Sequence, residues 1–145
     1  MTDRLVIVLA QLNQAMGDLA GNADAMLAVR AGLDAPADLI VYPELQLIGY
    51  PPEDLVLKPA LVERAAIELA RLAAATADGG PAMIVGSVAK EDGRLYNILA
   101  LLDGGAVAAV TRKHELPNYG TFDEKRLFAS GPLPEPVEFR GVRLG

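Results

Sequence analysis

The first part of the chain alternates between apolar runs and a segment with a helical pattern. Residues 5–12 and residues 38–42 are runs of apolar and β-branched side chains, which are typical of strands covered on both faces. Between them, residues 22–33 place alanine, methionine and leucine side chains on one helical stripe, with Asn22 as a candidate N-cap. The pattern therefore predicts a strand, a helix and a second strand.

A longer helical pattern and a series of strand-like runs follow. Residues 59–77 place leucine, valine and alanine side chains along one side, and a Gly-Gly-Pro sequence closes the segment. Three strand-like runs come next, separated by Asp-Gly turn signals that favour hairpins: residues 83–88, 95–102 and 106–112. This part of the chain is predicted to form a second helix and an antiparallel meander.

The last part of the chain has the composition of a loop and then of a short hairpin. Residues 113–136 contain four prolines and two glycines, whereas residues 137–144 indicate two short strands around a turn. The complete order predicts an α/β fold, with a mixed sheet and helices packed on one face. Because a domain rarely stops just as a strand begins, we expect residues 1–145 to be the N-terminal part of a larger domain.

Composition and charge narrow the class of protein. Hydrophobic residues make up 52% of the chain and charged residues 22%, which fits a globular protein. The formal net charge of −6 argues against a nucleic-acid partner, because phosphate binding needs a basic surface. No apolar run is long enough to cross a bilayer, and the N-terminus has no secretory pattern, so we expect a cytoplasmic protein without a membrane partner.

The chain has no cysteine and one histidine, which limits its chemistry. Disulfides and thiolate metal sites are excluded, and no metal or cofactor site is expected in these residues. The phosphate-binding glycine motifs and the nucleophilic serine elbow are also missing from the sequence. His114 has no obvious partner, and we interpret it as structural rather than as a base.

Charged residues after two predicted strands are the first candidates for chemistry. Glu44 follows residues 38–42, at the end of a strand where open α/β sheets bind ligands, so it is a candidate general base. Lys113 follows residues 106–112, where an ammonium group could stabilise an oxyanion or a thiolate. Position alone nevertheless favours ordinary solvated side chains for both residues.

Three residues of the predicted loops are weaker candidates. Glu124 lies in a charged segment at residues 121–128, and Tyr50 and Tyr119 lie in loops that contain glycine or proline. Such tyrosines can line a pocket with both a ring and a hydroxyl group. On position alone, a surface turn and simple loop packing are the favoured explanations.

Two segments resemble the catalytic motifs of the carbon–nitrogen hydrolase (nitrilase) superfamily. Residues 42–55, Tyr-Pro-Glu-Leu-Gln-Leu-Ile-Gly-Tyr-Pro-Pro-Glu-Asp-Leu, resemble the first motif, and residues 112–128 resemble the second. Residues 10–22 are similar to the family's N-terminus, so the resemblance covers essentially the whole chain. The Gly-Tyr-Pro-Pro-Glu-Asp-Leu extension looks like the version in the glutaminase domain of bacterial glutamine-dependent NAD synthetases, although Gln46 replaces a residue that is often small or apolar there.

The resemblance implies a nitrilase-type α-β-β-α sandwich, present in part, and a role for each candidate. Glu44 matches the general base, Lys113 the lysine that stabilises the thiolate and oxyanion, and Glu124 an orienting glutamate. Tyr119 and, less closely, Tyr50 match positions that line the glutamine pocket. The family's nucleophilic cysteine normally lies in the strand that begins near Val142, so we expect the chain to stop before it and to be inactive alone.

The implied reaction is hydrolysis of the glutamine amide, which supplies ammonia for the ATP-dependent conversion of deamido-NAD to NAD. ATP and magnesium would bind only to a synthetase domain of the same polypeptide, which lies outside these residues, and the full protein is expected to be a homo-oligomer. Two alternatives are another amidase of the nitrilase superfamily and a cysteine-free homologue that acts as a binding module.

Overall fold

The computed structural model describes residues 4–145, which form one five-stranded sheet, a separate hairpin and helices. The strands are β1 (Ile7–Leu9), β2 (Leu39–Val41), β3 (Ala82–Glu91), β4 (Arg94–Asp103), β5 (Ala106–Arg112), β6 (Val137–Phe139) and β7 (Val142–Leu144). The α-helices are α1 (Leu19–Ala31), α2 (Pro59–Ala75) and α3 (Glu124–Leu127), and two 3₁₀ helices span Glu53–Leu57 and Thr76–Asp78.

The five strands form a mixed sheet, as the sequence predicted, and they lie in chain order across it. β1, β2 and β3 are parallel, and β3, β4 and β5 are antiparallel. Two successive crossovers, through α1 and α2, move across the sheet in the same direction. Because parallel crossovers are almost always right-handed, both helices are carried to the same face of the sheet.

The main core lies between this helical face and the sheet. Ile40 and Met83 are paired across β2 and β3, and both side chains are fully buried. They pack in the same cluster as Met26 of α1 and Leu72 of α2, which are also fully buried.

Among residues 4–145, no helix is long and apolar enough to cross a membrane.

The opposite face of the sheet is covered in part by the β6–β7 hairpin. Phe139 packs with Leu39 and Leu101 in a second, smaller cluster of buried side chains. Ile7 and Leu9 of β1 point to the same face but are 46% and 75% exposed. The prediction that the first strand is covered on both faces is therefore wrong, because side chains alternate along a strand and only its helical side is packed here.

The start of α1 also differs from the prediction. The helix begins at Leu19, and Asp18 caps it by accepting a hydrogen bond from the Gly21 backbone at 3.0 Å. Asn22, the predicted cap, lies within α1 instead. Its side chain is buried and forms hydrogen bonds with the backbone of Ala15 and Leu47. A short polar side chain suits both roles, and Asp18 takes the cap because it lies one turn earlier.

The exposed side of β1 leads to a stability prediction. Leu9→Thr is expected to change the free energy of unfolding by less than about 0.5 kcal/mol, because the side chain is mostly in water. Ile40→Ala, on the packed side of the sheet, is expected to cost about 2–5 kcal/mol. Urea unfolding of both variants checks this, and similar losses would show that β1 is packed on both faces.

Candidate active site

Glu44 lies in a tight turn that crosses over β3. The turn is held by a hydrogen bond from the Leu47 backbone N–H to the Gly86 carbonyl at 3.1 Å. A Cβ atom at Gly86 would lie 2.4 Å from the Leu45 nitrogen and 2.6 Å from the Pro43 carbonyl oxygen. Only glycine therefore lets the turn approach β3 this closely, and the approach fixes the place of the Glu44 backbone.

The residue after Glu44 has a strained backbone. Leu45 has a φ of 52°, in the left-handed region that non-glycine residues rarely adopt. This conformation costs about 1–2 kcal/mol, and burial of a leucine side chain contributes about 1.5–3 kcal/mol. Because the Leu45 side chain is fully buried, its packing offsets the strain and holds the turn in place.

Lys113 follows β5 and has both of its backbone groups bonded. Its N–H donates to the Asn97 carbonyl at 2.9 Å, and its carbonyl accepts from the Gly131 N–H at 2.8 Å. Gly131 lies against the backbone at the end of β5, since a Cβ atom at Gly131 would lie 2.6 Å from the Arg112 carbonyl oxygen. The lysine side chain therefore starts from a backbone that is held on two sides.

Glu124 is the first residue of α3, a helix that interrupts the segment predicted to be a loop. Its backbone N–H donates to the Pro117 carbonyl at 3.1 Å. Its side chain is only 6% exposed. A glutamate is rarely buried to this extent unless it has a charged partner.

The three charged candidates converge on one point. The Lys113 Nζ atom lies 2.7 Å from Glu44 Oε1, and it lies 3.0 and 2.9 Å from the two carboxylate oxygens of Glu124. One ammonium group thus bridges two carboxylates, which would repel each other without it. The sequence singled out each of these residues, and the structure brings them within hydrogen-bonding distance.

The electrostatics of this cluster keep the lysine protonated. Burial alone would lower the pKa of the Lys113 ammonium group, but its hydrogen bonds and charge interactions with Glu44 and Glu124 outweigh burial and raise that pKa. The cluster thus places one ammonium group within hydrogen-bonding distance of two carboxylate groups. A carboxylate beside a fixed ammonium group is suited to removing a proton and stabilising the anion that forms.

Glu44 and Lys113 open onto a cleft of about 290 Å³. Its walls come from the turn after β2 and from the exposed face of β3, β4 and β5: Glu44, Gly86, Asn97, Ile98, Leu99, Thr111 and Lys113. Asn97 donates a hydrogen bond from Nδ2 to Glu44 Oε1 at 2.6 Å, a contact that the sequence did not predict. The available signal was an asparagine inside an otherwise apolar strand.

The two tyrosines occupy different surroundings. Tyr50 lines a smaller hollow together with Glu124, and its hydroxyl pKa is raised by burial and then by the charges of Glu124 and Glu44. Tyr119 is 71% exposed and packs edge-on against Phe122, with ring centroids 5.5 Å apart. Tyr50 thus lies near the charged cluster, and a role for either tyrosine in substrate binding stays a prediction.

The single histidine contacts the backbone. Its Nδ1 atom lies 2.7 Å from the Gly131 carbonyl oxygen, beside the segment that holds Lys113. This contact agrees with the structural interpretation of His114.

Over residues 4–145, no group of three or more histidine, cysteine, aspartate or glutamate side chains is arranged to hold a metal ion.

Comparison with known proteins identifies the family. The model of the carbon–nitrogen hydrolase family matches residues 7–145. The chain belongs to the carbon–nitrogen hydrolase family. The predicted family is thus confirmed, and so is the nitrilase-type α/β fold with its mixed sheet.

Within the carbon–nitrogen hydrolases, the chain is similar to glutamine-dependent NAD synthetases. It is 47% identical to the Rhodobacter capsulatus protein of that name over 146 residues, which cover 100% of this chain and 26% of the relative. The structure of glutamine-dependent NAD⁺ synthetase from Acinetobacter baumannii, solved with ADP, has a TM-score of 0.85 and 39% identity. That match covers 96% of this chain and 26% of the other.

A solved amidase is a more distant neighbour. A mutant of the amidase from Nesterenkonia sp. AN1, whose active-site cysteine has undergone Michael addition of acrylamide, matches with a TM-score of 0.74 and 25% identity. The match covers 97% of this chain and 55% of the amidase. The chain spans about a quarter of the length of the curated relatives that it matches.

The close approach at Gly86 predicts a strong effect of one added methyl group. Gly86→Ala is expected to lower the free energy of unfolding by about 3 kcal/mol, because the new Cβ meets backbone atoms that cannot move aside separately. Two-dimensional amide NMR should also show that the Glu44 and Leu45 signals shift.

Gly93→Ala is the matched control, because a Cβ at Gly93 meets open space and only the positive φ is unfavourable. We expect it to cost about 1–2 kcal/mol and to leave the Glu44 signal unchanged. If the two variants behaved alike, the Gly86 contact would not determine the position of Glu44.

The bridging ammonium group predicts a stability change with a defined pH dependence. Lys113→Met leaves the buried Glu124 carboxylate without its counterion. Breaking a fully buried pair costs about 3–5 kcal/mol, and the partial exposure of Lys113 reduces the expected loss to roughly 2–3 kcal/mol. Urea unfolding near neutral pH measures this loss in the free energy of unfolding.

The pKa of Lys113 is raised, so its contribution is fully present below the usual lysine value of about 10.4 and is lost as the pH rises through the folded-state value. From neutral pH upwards, the difference between wild type and Lys113→Met should therefore persist until strongly alkaline solution, where it should shrink. Lys90→Met removes an exposed lysine and serves as control. Equal losses in the two variants would contradict the bridge.

Proposed function

We propose that this chain supplies the base and the oxyanion-stabilising lysine of a glutaminase, which releases ammonia from glutamine for the synthesis of NAD. The observation that carries the proposal is the Lys113 ammonium group bridging Glu44 and Glu124 at the cleft. The similarity to glutamine-dependent NAD synthetases over the full chain supports the choice of glutamine over other amides.

The chemistry needs a nucleophile, and a neutral thiol attacks amides poorly. The chain contains no cysteine, so the proposed thiol comes from outside residues 1–145. Glu44 removes the thiol proton, and the thiolate sulfur attacks the amide carbon of glutamine. The related Nesterenkonia amidase has a reactive cysteine at its active site, which supports a thiol in this role.

The lysine and the second glutamate act on the intermediate. Addition of the thiolate converts the amide oxygen into an oxyanion, which Lys113 stabilises through its positive charge. Glu44 returns its proton to the nitrogen, so that ammonia leaves and a thioester remains. Water activated by Glu44 then hydrolyses the thioester to glutamate, while Glu124 keeps the lysine oriented.

The remaining parts of the proposal concern the rest of the polypeptide. The ammonia would be used by a synthetase domain of the same polypeptide, where ATP and magnesium serve the conversion of deamido-NAD to NAD. Glutamine is the proposed small-molecule partner of this chain, with Tyr50 and Tyr119 as candidate contacts. A cytoplasmic location and a homo-oligomeric state stay predictions.

A chimera tests the proposal. Residues 1–145 of this chain would replace the matching part of the Rhodobacter capsulatus relative, and NAD formation would be measured with glutamine and, separately, with an ammonium salt. Glu44→Gln and Lys113→Met are expected to lower glutamine-dependent activity by about 10²–10⁴-fold, because each removes a group that acts in the transition state.

Ammonium-dependent activity should stay unchanged in both variants, since added ammonia bypasses the glutaminase. Glu115→Gln and Lys90→Met change exposed side chains and are the matched controls. A chimera that uses ammonium but not glutamine would contradict the proposal and favour a non-catalytic binding module. Preferential hydrolysis of another amide would favour the other alternative, an amidase of the nitrilase superfamily with a different substrate.

A further inference from the structure

Asn97 connects the two catalytic candidates that line the cleft. It lies on β4 and is 3% exposed, so its side chain is held among neighbouring groups. Its Nδ2 atom donates to Glu44 Oε1 at 2.6 Å, and its carbonyl oxygen accepts a hydrogen bond from the Lys113 backbone at 2.9 Å. One strand residue therefore contacts the side chain of the candidate base and the backbone of the candidate lysine.

The two oxygens of the Glu44 carboxylate are not equivalent. Oε1 accepts hydrogen bonds from Asn97 Nδ2 at 2.6 Å and from Lys113 Nζ at 2.7 Å. Within residues 4–145, both hydrogen bonds to the Glu44 carboxylate reach Oε1, and none reaches Oε2. Since Oε1 is held by two donors, Oε2 is the oxygen whose lone pairs remain available for a proton.

We propose that Asn97 is a positioning residue, which anchors Glu44 through Oε1 so that Oε2 removes the proton of the nucleophile. This inference rests on the proposed function of Glu44 as a general base. Lys113 alone would leave the carboxylate free to rotate about one contact, because an ammonium group is a symmetric donor that does not set the direction of the bond. The amide of Asn97 adds a second, directional donor from a rigid strand.

The anchor also affects when the base carries its charge. A donor that bonds to a carboxylate favours the ionised form, so its removal makes the carboxylate accept a proton more readily. If Asn97 has this role, its loss moves the acidic limb of the pH–rate profile to higher pH. A residue that only stabilised the fold would lower the amount of active protein and leave that limb unchanged.

Two variants separate the side-chain contact from the backbone contact. Asn97→Ala removes the amide but keeps the backbone carbonyl that binds Lys113. Asn97→Asp keeps the size of the side chain, removes the donor and adds a negative charge beside Glu44. Asn13→Ala, at an exposed asparagine that does not line the cleft, is the control.

In the chimera, Asn97→Ala is expected to lower glutamine-dependent kcat/KM by about 10–100-fold, since small displacements of a catalytic group have effects of this size. Its acidic limb should move up by about one pH unit, and that of Asn97→Asp by more, because of the added charge. Ammonium-dependent activity should not change. A normal rate with an unmoved limb in both variants would overturn the inference.

A measurement on the 145-residue chain itself keeps the inference separate from the proposed function. Carbon-13 NMR of the Glu44 carboxyl group gives its protonation midpoint without any catalysis, and amide spectra show whether each variant is folded. We expect the midpoint to rise in Asn97→Ala and further in Asn97→Asp, with no change in Asn13→Ala. If the midpoints rise but the chimera does not use glutamine, the anchor stands and the glutaminase proposal fails; unchanged midpoints in folded variants overturn the anchor.

Discussion

The site depends on one ammonium group that lies between two carboxylates. Lys113 holds Glu44, which follows β2, and Glu124, which begins α3, although these residues are far apart in the sequence. Two carboxylates that share one ammonium group would repel each other without it, and the buried Glu124 side chain has its counterion in Lys113. The turn after β2, the end of β5 and the short helix α3 are therefore held together by contacts with this one ammonium group.

Close backbone contacts bring the three charges to this point. Gly86 lets the turn that carries Glu44 lie on β3, and Gly131 lets the chain after α3 lie against the end of β5. Between them, Asn97 binds Glu44 through its side chain and Lys113 through its backbone. The charged groups are thus set by strands and glycine contacts rather than by mobile loops, as catalysis requires of preorganised groups.

The sequence predicted most elements and the main charged candidates, because strand ends and turn residues are local signals. Glu44 and Lys113 could be found from their places after strands, whereas Glu124 gained a role only from the family resemblance. Asn97 was missed, since a polar residue in a strand suggests solvent and only the tertiary structure reveals its partner. The exposure of Leu9 was missed for a similar reason: an apolar run does not show which of its faces another element covers.

The bridge between Lys113 and Glu124 can be measured directly by a double-mutant cycle. The free energies of unfolding of the wild type, Lys113→Met, Glu124→Gln and the double variant would be obtained from urea titrations near neutral pH. Because the two side chains are in contact and one is buried, we predict a favourable coupling of about 1–3 kcal/mol. A coupling within about 0.3 kcal/mol of zero, which is expected of independent sites, would contradict the central role of this ammonium group.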